Sequence, residues 1–168
     1  ADEVIEEMLP YMGQLYGNPS SMHTFGGQVG TKVKEARQRV ADLINADPDE
    51  IVFTSCGTES DNAAIWSAIH AFPERKHIIT TNVEHPAINN LYKYLEDKKG
   101  YRVTFAKVDK KGLLDLDQLY TSMSEDTAII SVMWANNETG VIFPIEAIAE
   151  KARKKGILFH TDAVQAVG

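Results

Sequence analysis

The sequence predicts an α/β fold of three layers, in which helices cover both faces of a mostly parallel sheet. From Ile51 onward, short apolar and β-branched runs alternate with longer stretches of helical periodicity, which is the pattern of repeated strand-helix-strand units. The runs are almost continuously apolar, as expected for strands that are buried on both faces. With 168 residues, the chain is long enough for one domain with a substantial core.

The residues before this alternation are predicted to be helical with one break. Residues 3–15 have the pattern of a short helix, and residues 27–44 that of a long polar helix. Between them, residues 17–21 (GNPSS) are rich in turn formers and predict a loop.

The first strand-helix unit is predicted from the β-branched run Ile51–Thr54 and the helical stretch Glu59–His70. Ser55 or Thr58 could cap the start of this helix, because both hydroxyls can accept from the backbone. The expected buried stripe of the helix consists of Ala63, Ala64, Ile65, Ala68 and Ile69.

The second strand-helix unit has clearer signals at the ends of its helix. His77–Thr80 predicts a strand, and Pro86–Lys98 predicts a helix with proline where its missing N–H costs nothing. Gly100 is expected to end the helix, and Val103–Ala106 begins the next strand.

The remaining elements follow the same alternation. Leu116–Met123 predicts a short helix and Ala128–Met133 a buried strand. Ile145–Lys154 predicts a helix that stops at Gly156, and Ile157–His160 the last strand.

Composition excludes several classes of function. The chain has 17 Lys+Arg against 24 Asp+Glu, a net charge of -7 without a basic stripe, which argues against binding nucleic acid. No apolar run is long enough to cross a bilayer, and the acidic start differs from a signal peptide, so we expect a cytoplasmic protein. The single cysteine, Cys56, excludes an internal disulfide and a multi-cysteine zinc site.

Ligands of a wound parallel sheet bind beyond the carboxyl ends of its strands, so the residues that follow each strand are candidates for a site. After the first predicted strand, a small-residue turn leads into a helix, whose free N–H groups and dipole favour a phosphate. Gly57 would allow close approach of the anion, and Thr58 would add a hydroxyl. A plain capping turn is the commoner explanation of such a segment on its own.

Two further strand exits carry polar groups. His85 lies at a predicted helix start, where its imidazole could transfer protons or stack on a ring, or could be an ordinary surface histidine. Asn136 and Asn137 lie in a loop that ends at Gly140, and this amide pair suits either an oxygen-rich ligand or an Asx turn.

After the last strand come Asp162 and Gln165. An aspartate directly beyond a buried strand, among small and apolar neighbours, is expected to meet a cation or a protonated nitrogen. His160 and Asp162 are also spaced as metal ligands could be, which is an alternative.

Five segments, taken together in order and spacing, resemble the NifS-like cysteine desulfurases, and the resemblance runs from Glu3 to Gly168. The segments are Gly17–His23, Phe53–Asn62, Glu84–Pro86, Asn136–Gly140 and His160–Gln165.

The resemblance implies an enzyme dependent on pyridoxal 5'-phosphate (PLP) with the aspartate aminotransferase fold. Residues 1–168 would then be a partial PLP-binding large domain, without its C-terminal half and without the small domain. The expected cofactor-binding residues are Gly57, Thr58, His85, Asn137, Asp162 and Gln165, and no metal is expected.

The family also implies a role for each of these residues. Gly57 and Thr58 would hold the phosphate, while His85 would stack on the ring and move protons as the catalytic residue. Asp162 would keep the ring nitrogen protonated, which makes the cofactor an electron sink.

Two amides complete the implied site. Gln165 would donate to the phenolic oxygen of the cofactor, and Asn137 would lie close to that oxygen and to the substrate carboxylate.

By the same resemblance, the full enzyme would be a homodimer that removes sulfur from L-cysteine, giving L-alanine and an enzyme persulfide. The persulfide would pass to an iron-sulfur scaffold or another acceptor protein. The family lysine that binds the cofactor covalently lies in a Ser-x-His-Lys segment, and none of the twelve lysines here has that context. Cys56 is not the counterpart of the persulfide cysteine, so a fragment ending at Gly168 is expected to be inactive alone.

Three alternatives remain at this point. The first is another PLP enzyme of the same fold, such as a selenocysteine lyase or an epimerase. The second is a metal-dependent hydrolase that uses His85, His160 and Asp162. The third is a non-catalytic interaction module.

Overall fold

The computed structural model describes residues 1–167, which divide into two compact units, residues 1–53 and residues 54–167. The first unit contains helices α1 (Asp2–Met8) and α2 (Thr24–Ile44). Two short 3-10 helices accompany them, Leu9–Met12 and Pro48–Glu50.

The helix predicted over residues 3–15 is interrupted at Pro10. This proline lies in the first turn of the 3-10 helix that follows α1, because a proline inside an α-helix removes a hydrogen bond and clashes with the preceding turn. Helix α2 begins three residues earlier than predicted, since Nδ1 of His23 accepts from the backbone N–H of Gly26 at 3.2 Å. Gly26 is packed so closely that a Cβ atom there would lie 2.4 Å from the carbonyl oxygen of Asn18.

The strand predicted over Ile51–Thr54 is wrong. Ile51 has extended dihedral angles, but no strand in the described part of the chain pairs with these residues. The Ile51 carbonyl instead accepts a hydrogen bond from the Arg37 guanidinium, and both Val52 and Phe53 are exposed.

The second unit contains a four-stranded sheet in the order β2-β1-β3-β4, and all neighbouring strands are parallel. Four further helices connect or flank the strands. In chain order the elements are α3 (Gly57–Ala71), β1 (His77–Thr81), α4 (Pro86–Lys99), β2 (Arg102–Ala106), α5 (Leu116–Ser122), β3 (Thr127–Ser131), α6 (Ile145–Lys154) and β4 (Leu158–His160).

The predicted three-layer arrangement is confirmed by how the core divides. Ile78 packs with buried residues of α3 and α4, whereas its neighbour Ile79 packs with buried residues of α5 and α6. Ile129 and Ile130 of β3 alternate in the same way. Successive strand residues therefore supply the two faces of the sheet to two different helical layers.

The glycines predicted to end α4 and α6 are confirmed, whereas the predicted cap of α3 is wrong. Gly100 and Gly156 have the positive φ values of 71° and 64° that end α4 and α6. At α3, however, Cys56 is the N-cap and makes no side-chain cap, so neither Ser55 nor Thr58 caps the helix as expected.

The predicted apolar stripe of α3 is confirmed in part. Ile65, Ala68 and Ile69 are buried, but Ala63 is exposed and Ala64 is only half-buried.

One buried imidazole ties three strands together. His77 in β1 is fully buried, and its ring nitrogens share hydrogen bonds of 2.8 Å with Thr127 Oγ1 in β3 and Thr104 Oγ1 in β2. Burial, followed by the nearby charge of Arg102, lowers the pKa of His77 to about 4.

Among the helices described for residues 1–167, none combines the length and the apolar character that a membrane span needs.

Candidate active site

A cavity of about 270 Å³ lies where β1, β3 and β4 end and α3 begins. This volume is slightly below the range of about 300–1,000 Å³ that is typical of small-molecule sites. The six residues predicted to bind a cofactor all line this cavity: Gly57, Thr58, His85, Asn137, Asp162 and Gln165. The structure thus brings together side chains from four separate segments of the chain.

The start of α3 forms one wall. The first N–H groups of a helix have no intrahelical partner, and here no side chain caps them. The Glu59 carboxylate instead accepts from the backbone N–H of Ser55 at 2.7 Å and from its hydroxyl at 2.6 Å. Gly57 is close to the opposite wall, because a Cβ atom there would lie 3.3 Å from Val164 Cγ2.

Cys56 lines the same wall with its thiol exposed. The backbone N–H of Glu59, followed by the Ser55 hydroxyl, lowers the pKa of the Cys56 thiol. The same N–H groups that favour a thiolate would favour any other anion at this helix start.

His85 is the N-cap of α4, and Pro86 occupies the first helical position as predicted. The Nδ1 atom of His85 accepts from the backbone N–H of Ala87 at 3.2 Å. Because Nδ1 is the acceptor, the neutral imidazole carries its proton on Nε2. The ring can therefore hold or give up a proton at Nε2.

Asp162 lies two residues beyond the end of β4 and is half-buried. Its Oδ1 atom accepts from the backbone N–H of Val164 at 3.0 Å, which fixes the carboxylate in a turn. Its backbone carbonyl accepts from the N–H of Trp134 at 2.8 Å. No lysine or arginine of residues 1–167 lines the cavity, so no cation of this part of the chain neutralises Asp162 there.

Asp61 also lines the cavity, and sequence reasoning missed it. It is 6% exposed and lies 3.5 Å from Nε2 of His160, whose Nδ1 shares a hydrogen bond of 2.9 Å with Ser131. A signal existed, because Asp61 stands at helical spacing from Ile65 and Ala68 on the apolar face of α3.

The position of His160 bears on the metal alternative. His160 faces Asp61 and Ser131 and is not among the residues that line the cavity with His85 and Asp162. Across residues 1–167, no three His, Cys, Asp or Glu side chains are grouped so that they could hold a metal ion. Residues 1–167 therefore offer the hydrolase alternative no set of three such ligands.

Glu84 is the second residue that sequence reasoning missed. It is 5% exposed, and its Oε1 atom accepts from Thr81 Oγ1 at 2.7 Å and from the backbone N–H of Met133 at 3.0 Å. Burial raises the pKa of Glu84 to about 7, against smaller opposing effects of these two hydrogen bonds.

A family model described as aminotransferase class-V matches residues 1–168. The chain belongs to this family. Over 168 residues it is 57% identical to the cysteine desulfurase NifS of Azotobacter vinelandii, covering 99% of this chain and 42% of that protein. The chain therefore spans less than half the length of this curated relative.

Two solved structures are similar in fold as well as in sequence. A NifS-like protein superposes with a TM-score of 0.93 at 41% identity, covering 99% of this chain and 46% of the other. SspA in complex with cysteine superposes with a TM-score of 0.92 at 36% identity, covering 99% and 48%. The predicted aminotransferase fold and the resemblance to the NifS-like proteins are both confirmed, and cysteine desulfurases of this family depend on PLP.

Proposed function

We propose that the cavity binds PLP and that the complete protein is a cysteine desulfurase, which converts L-cysteine to L-alanine and an enzyme persulfide. The observation that carries this proposal is the convergence of all six predicted residues on one cavity beyond three parallel strand ends. The relatives named above support the choice of reaction.

The residues present fit the chemical groups of PLP. A phosphate suits the start of α3, because no side chain caps its first N–H groups and Gly57 has no side chain that could block the approach of an anion. Thr58 would add a hydroxyl donor. A protonated ring nitrogen suits Asp162, which is half-buried and lacks a cationic partner in the cavity wall formed by residues 1–167.

His85 would act as the catalytic residue by contacting the ring and by holding or moving a proton at Nε2. Its other nitrogen is occupied by the N–H of Ala87, so the orientation of the imidazole is fixed by α4. Asp162 would hold the proton on the ring nitrogen, and bound PLP would then withdraw electrons from the substrate.

Asn137 and Gln165 would orient the remaining polar groups. Both side chains are exposed to the cavity and can donate through their amides. Gln165 would donate to the phenolic oxygen, and Asn137 would bind near that oxygen and the substrate carboxylate.

The proposal requires a lysine from outside the described cavity wall. None of the twelve lysines in the sequence stands in a Ser-x-His-Lys segment, and no lysine of residues 1–167 lines the cavity. A polypeptide of residues 1–168 alone is therefore expected to release no sulfide. As partners we propose a second copy of the complete protein and a sulfur acceptor such as an iron-sulfur scaffold.

The test is to assay the complete protein, as encoded, with L-cysteine and a thiol reductant, measuring sulfide and alanine. We expect both products in equal amounts, and an Asp162→Asn variant should lose most of the activity because the ring nitrogen loses its anionic partner. Asp126→Asn, at an exposed acid in a salt bridge with Arg102, is the matched control and should keep wild-type activity. Absence of both products from the wild-type protein would overturn the proposal, and a preference for L-selenocysteine would favour the lyase.

A further inference from the structure

Two buried side chains connect the loop that carries His85 with the loop that carries Asn137. Glu84 and Asn136 immediately precede these two site residues and are 5% and 7% exposed, respectively. Each of them reaches across to the backbone of the other loop.

The first connection runs from the β1 exit to the β3 exit. Glu84 Oε1 accepts from the backbone N–H of Met133 at 3.0 Å, and from Thr81 Oγ1 at 2.7 Å. The carbonyl of Glu84 in turn accepts from the side chain of Asn89 at 2.8 Å, which fixes the start of α4. One oxygen of the Glu84 carboxyl group thus accepts both from its own loop, through Thr81, and from the loop beyond β3, through Met133.

The second connection runs in the opposite direction. Asn136 Nδ2 donates to the carbonyl of Val83 at 3.1 Å. Its Oδ1 atom accepts from the backbone N–H groups of Glu138 and Thr139, at 3.1 and 2.8 Å, and so shapes the loop around Asn137.

A third contact extends the arrangement to Asp162. The N–H of Met133 donates to Glu84, and the next N–H, that of Trp134, donates to the carbonyl of Asp162 at 2.8 Å. The adjacent backbone N–H groups of Met133 and Trp134 therefore fix two loops, the one that carries Glu84 and the one that carries Asp162.

We infer that Glu84 and Asn136 are positioning residues, a reciprocal clamp that holds His85 and Asn137 at one separation across the cavity. Neither side chain is among those that line the cavity, so each acts through its neighbour in sequence. The Glu84–Met133 bond is buried and the Asn136–Val83 bond is partly buried, and a buried N–H that loses its acceptor stays unpaired instead of turning to water. Without the clamp the two loops would sample several separations, and only part of the population would be competent to bind.

The role in PLP binding rests on the proposed function, but the clamp itself can be measured without a cofactor. In the complete protein, Glu84→Met keeps the size of the side chain and removes the acceptor. Amide-resolved hydrogen exchange should then show at least a hundredfold faster exchange at Met133, with no change at Ile130 inside β3. Glu84→Gln keeps an oxygen acceptor and should restore slow exchange at Met133.

PLP affinity, measured by equilibrium dialysis, should fall at least tenfold in Glu84→Met and stay within threefold of wild type in Glu84→Gln. Asn136→Asp replaces the amide donor to the Val83 carbonyl and to Met133 Sδ by a carboxyl oxygen, while Oδ1 can still accept from the loop. It should weaken PLP binding similarly while leaving exchange at Met133 slow. This second variant tests the clamp even if Glu84→Met fails to fold.

Leu119→Ala is the control for general destabilisation, because Leu119 is fully buried in α5 on the opposite layer from α3 and α4. It should speed exchange at Met133 and Ile130 together and leave PLP affinity unchanged. The clamp is refuted if Glu84→Met leaves exchange at Met133 slow, or if Glu84→Gln binds PLP as weakly as Glu84→Met. If the wild-type protein binds no PLP, the proposed function fails and the exchange data alone decide the clamp.

Discussion

Replacing the buried carboxyl of Glu84 by an amide should change how stability depends on pH. The pKa of Glu84 is about 7 in the folded protein, against an ordinary value of 4.5, because burial disfavours the charged form. Below pH 4.5 the group is protonated in both the folded and the unfolded chain and has no effect. As pH rises to 7, the unfolded chain loses this proton first, so folding is progressively destabilised.

The difference between the two pKa values corresponds to an upper limit of about 3 kcal/mol at pH 8. Glu84→Gln cannot ionise, so its stability relative to wild type should rise by up to this amount between pH 4.5 and pH 8. The constant offset between the proteins reflects the desolvation of the amide, and only the change with pH is diagnostic.

Urea unfolding followed by tryptophan fluorescence gives the free energy of unfolding at each pH. The nearby charges of His160 and Asp162 act on Glu84 in opposite directions, and both remain in the variant. A difference between variant and wild type that is constant from pH 4.5 to 8 would show that Glu84 ionises normally, and would refute the reasoning.

Three other predictions follow from single residues. The low pKa of His77 means that stability is lost as pH falls from about 6.5 to 4, and urea unfolding of His77→Gln should show this loss reduced. Gly26→Ala should destabilise the protein by about 1–3 kcal/mol because the new Cβ meets the Asn18 carbonyl. Gly27→Ala, with no atom within 4 Å, should stabilise the helix slightly, and thermal unfolding by circular dichroism compares the two. At pH 8, iodoacetamide should alkylate Cys56 faster than a free cysteine peptide, and saturating PLP should slow the reaction, as mass spectrometry can follow.

Local signals in the sequence are sufficient to predict most helices and strands of the compact unit that begins at Thr54. Pro86 and Gly100 mark the two ends of α4, and the apolar runs of β1 and β3 were placed within two residues of their observed ends. These features depend on neighbours a few positions away, so periodicity and capping chemistry reveal them.

Features that depend on distant partners were missed. A strand exists only where another strand pairs with it, and Ile51 instead bonds to the Arg37 side chain. Glu84 reads as an ordinary polar residue of a turn, because its burial depends on Met133, which is 49 positions away. The candidate site residues and Asn136 could be nominated from strand exits, but the burial of Glu84 and its contact with Met133 could not.

The uncapped start of α3 has a consequence for how an anion would be held there. Main-chain dipoles and a hydroxyl do not change their charge over the pH range in which ammonium and imidazolium groups lose their protons. The pH profile of phosphoester capture at this wall should therefore follow the second ionisation of the phosphoester and, at higher pH, the ionisation of the Cys56 thiol on the same wall.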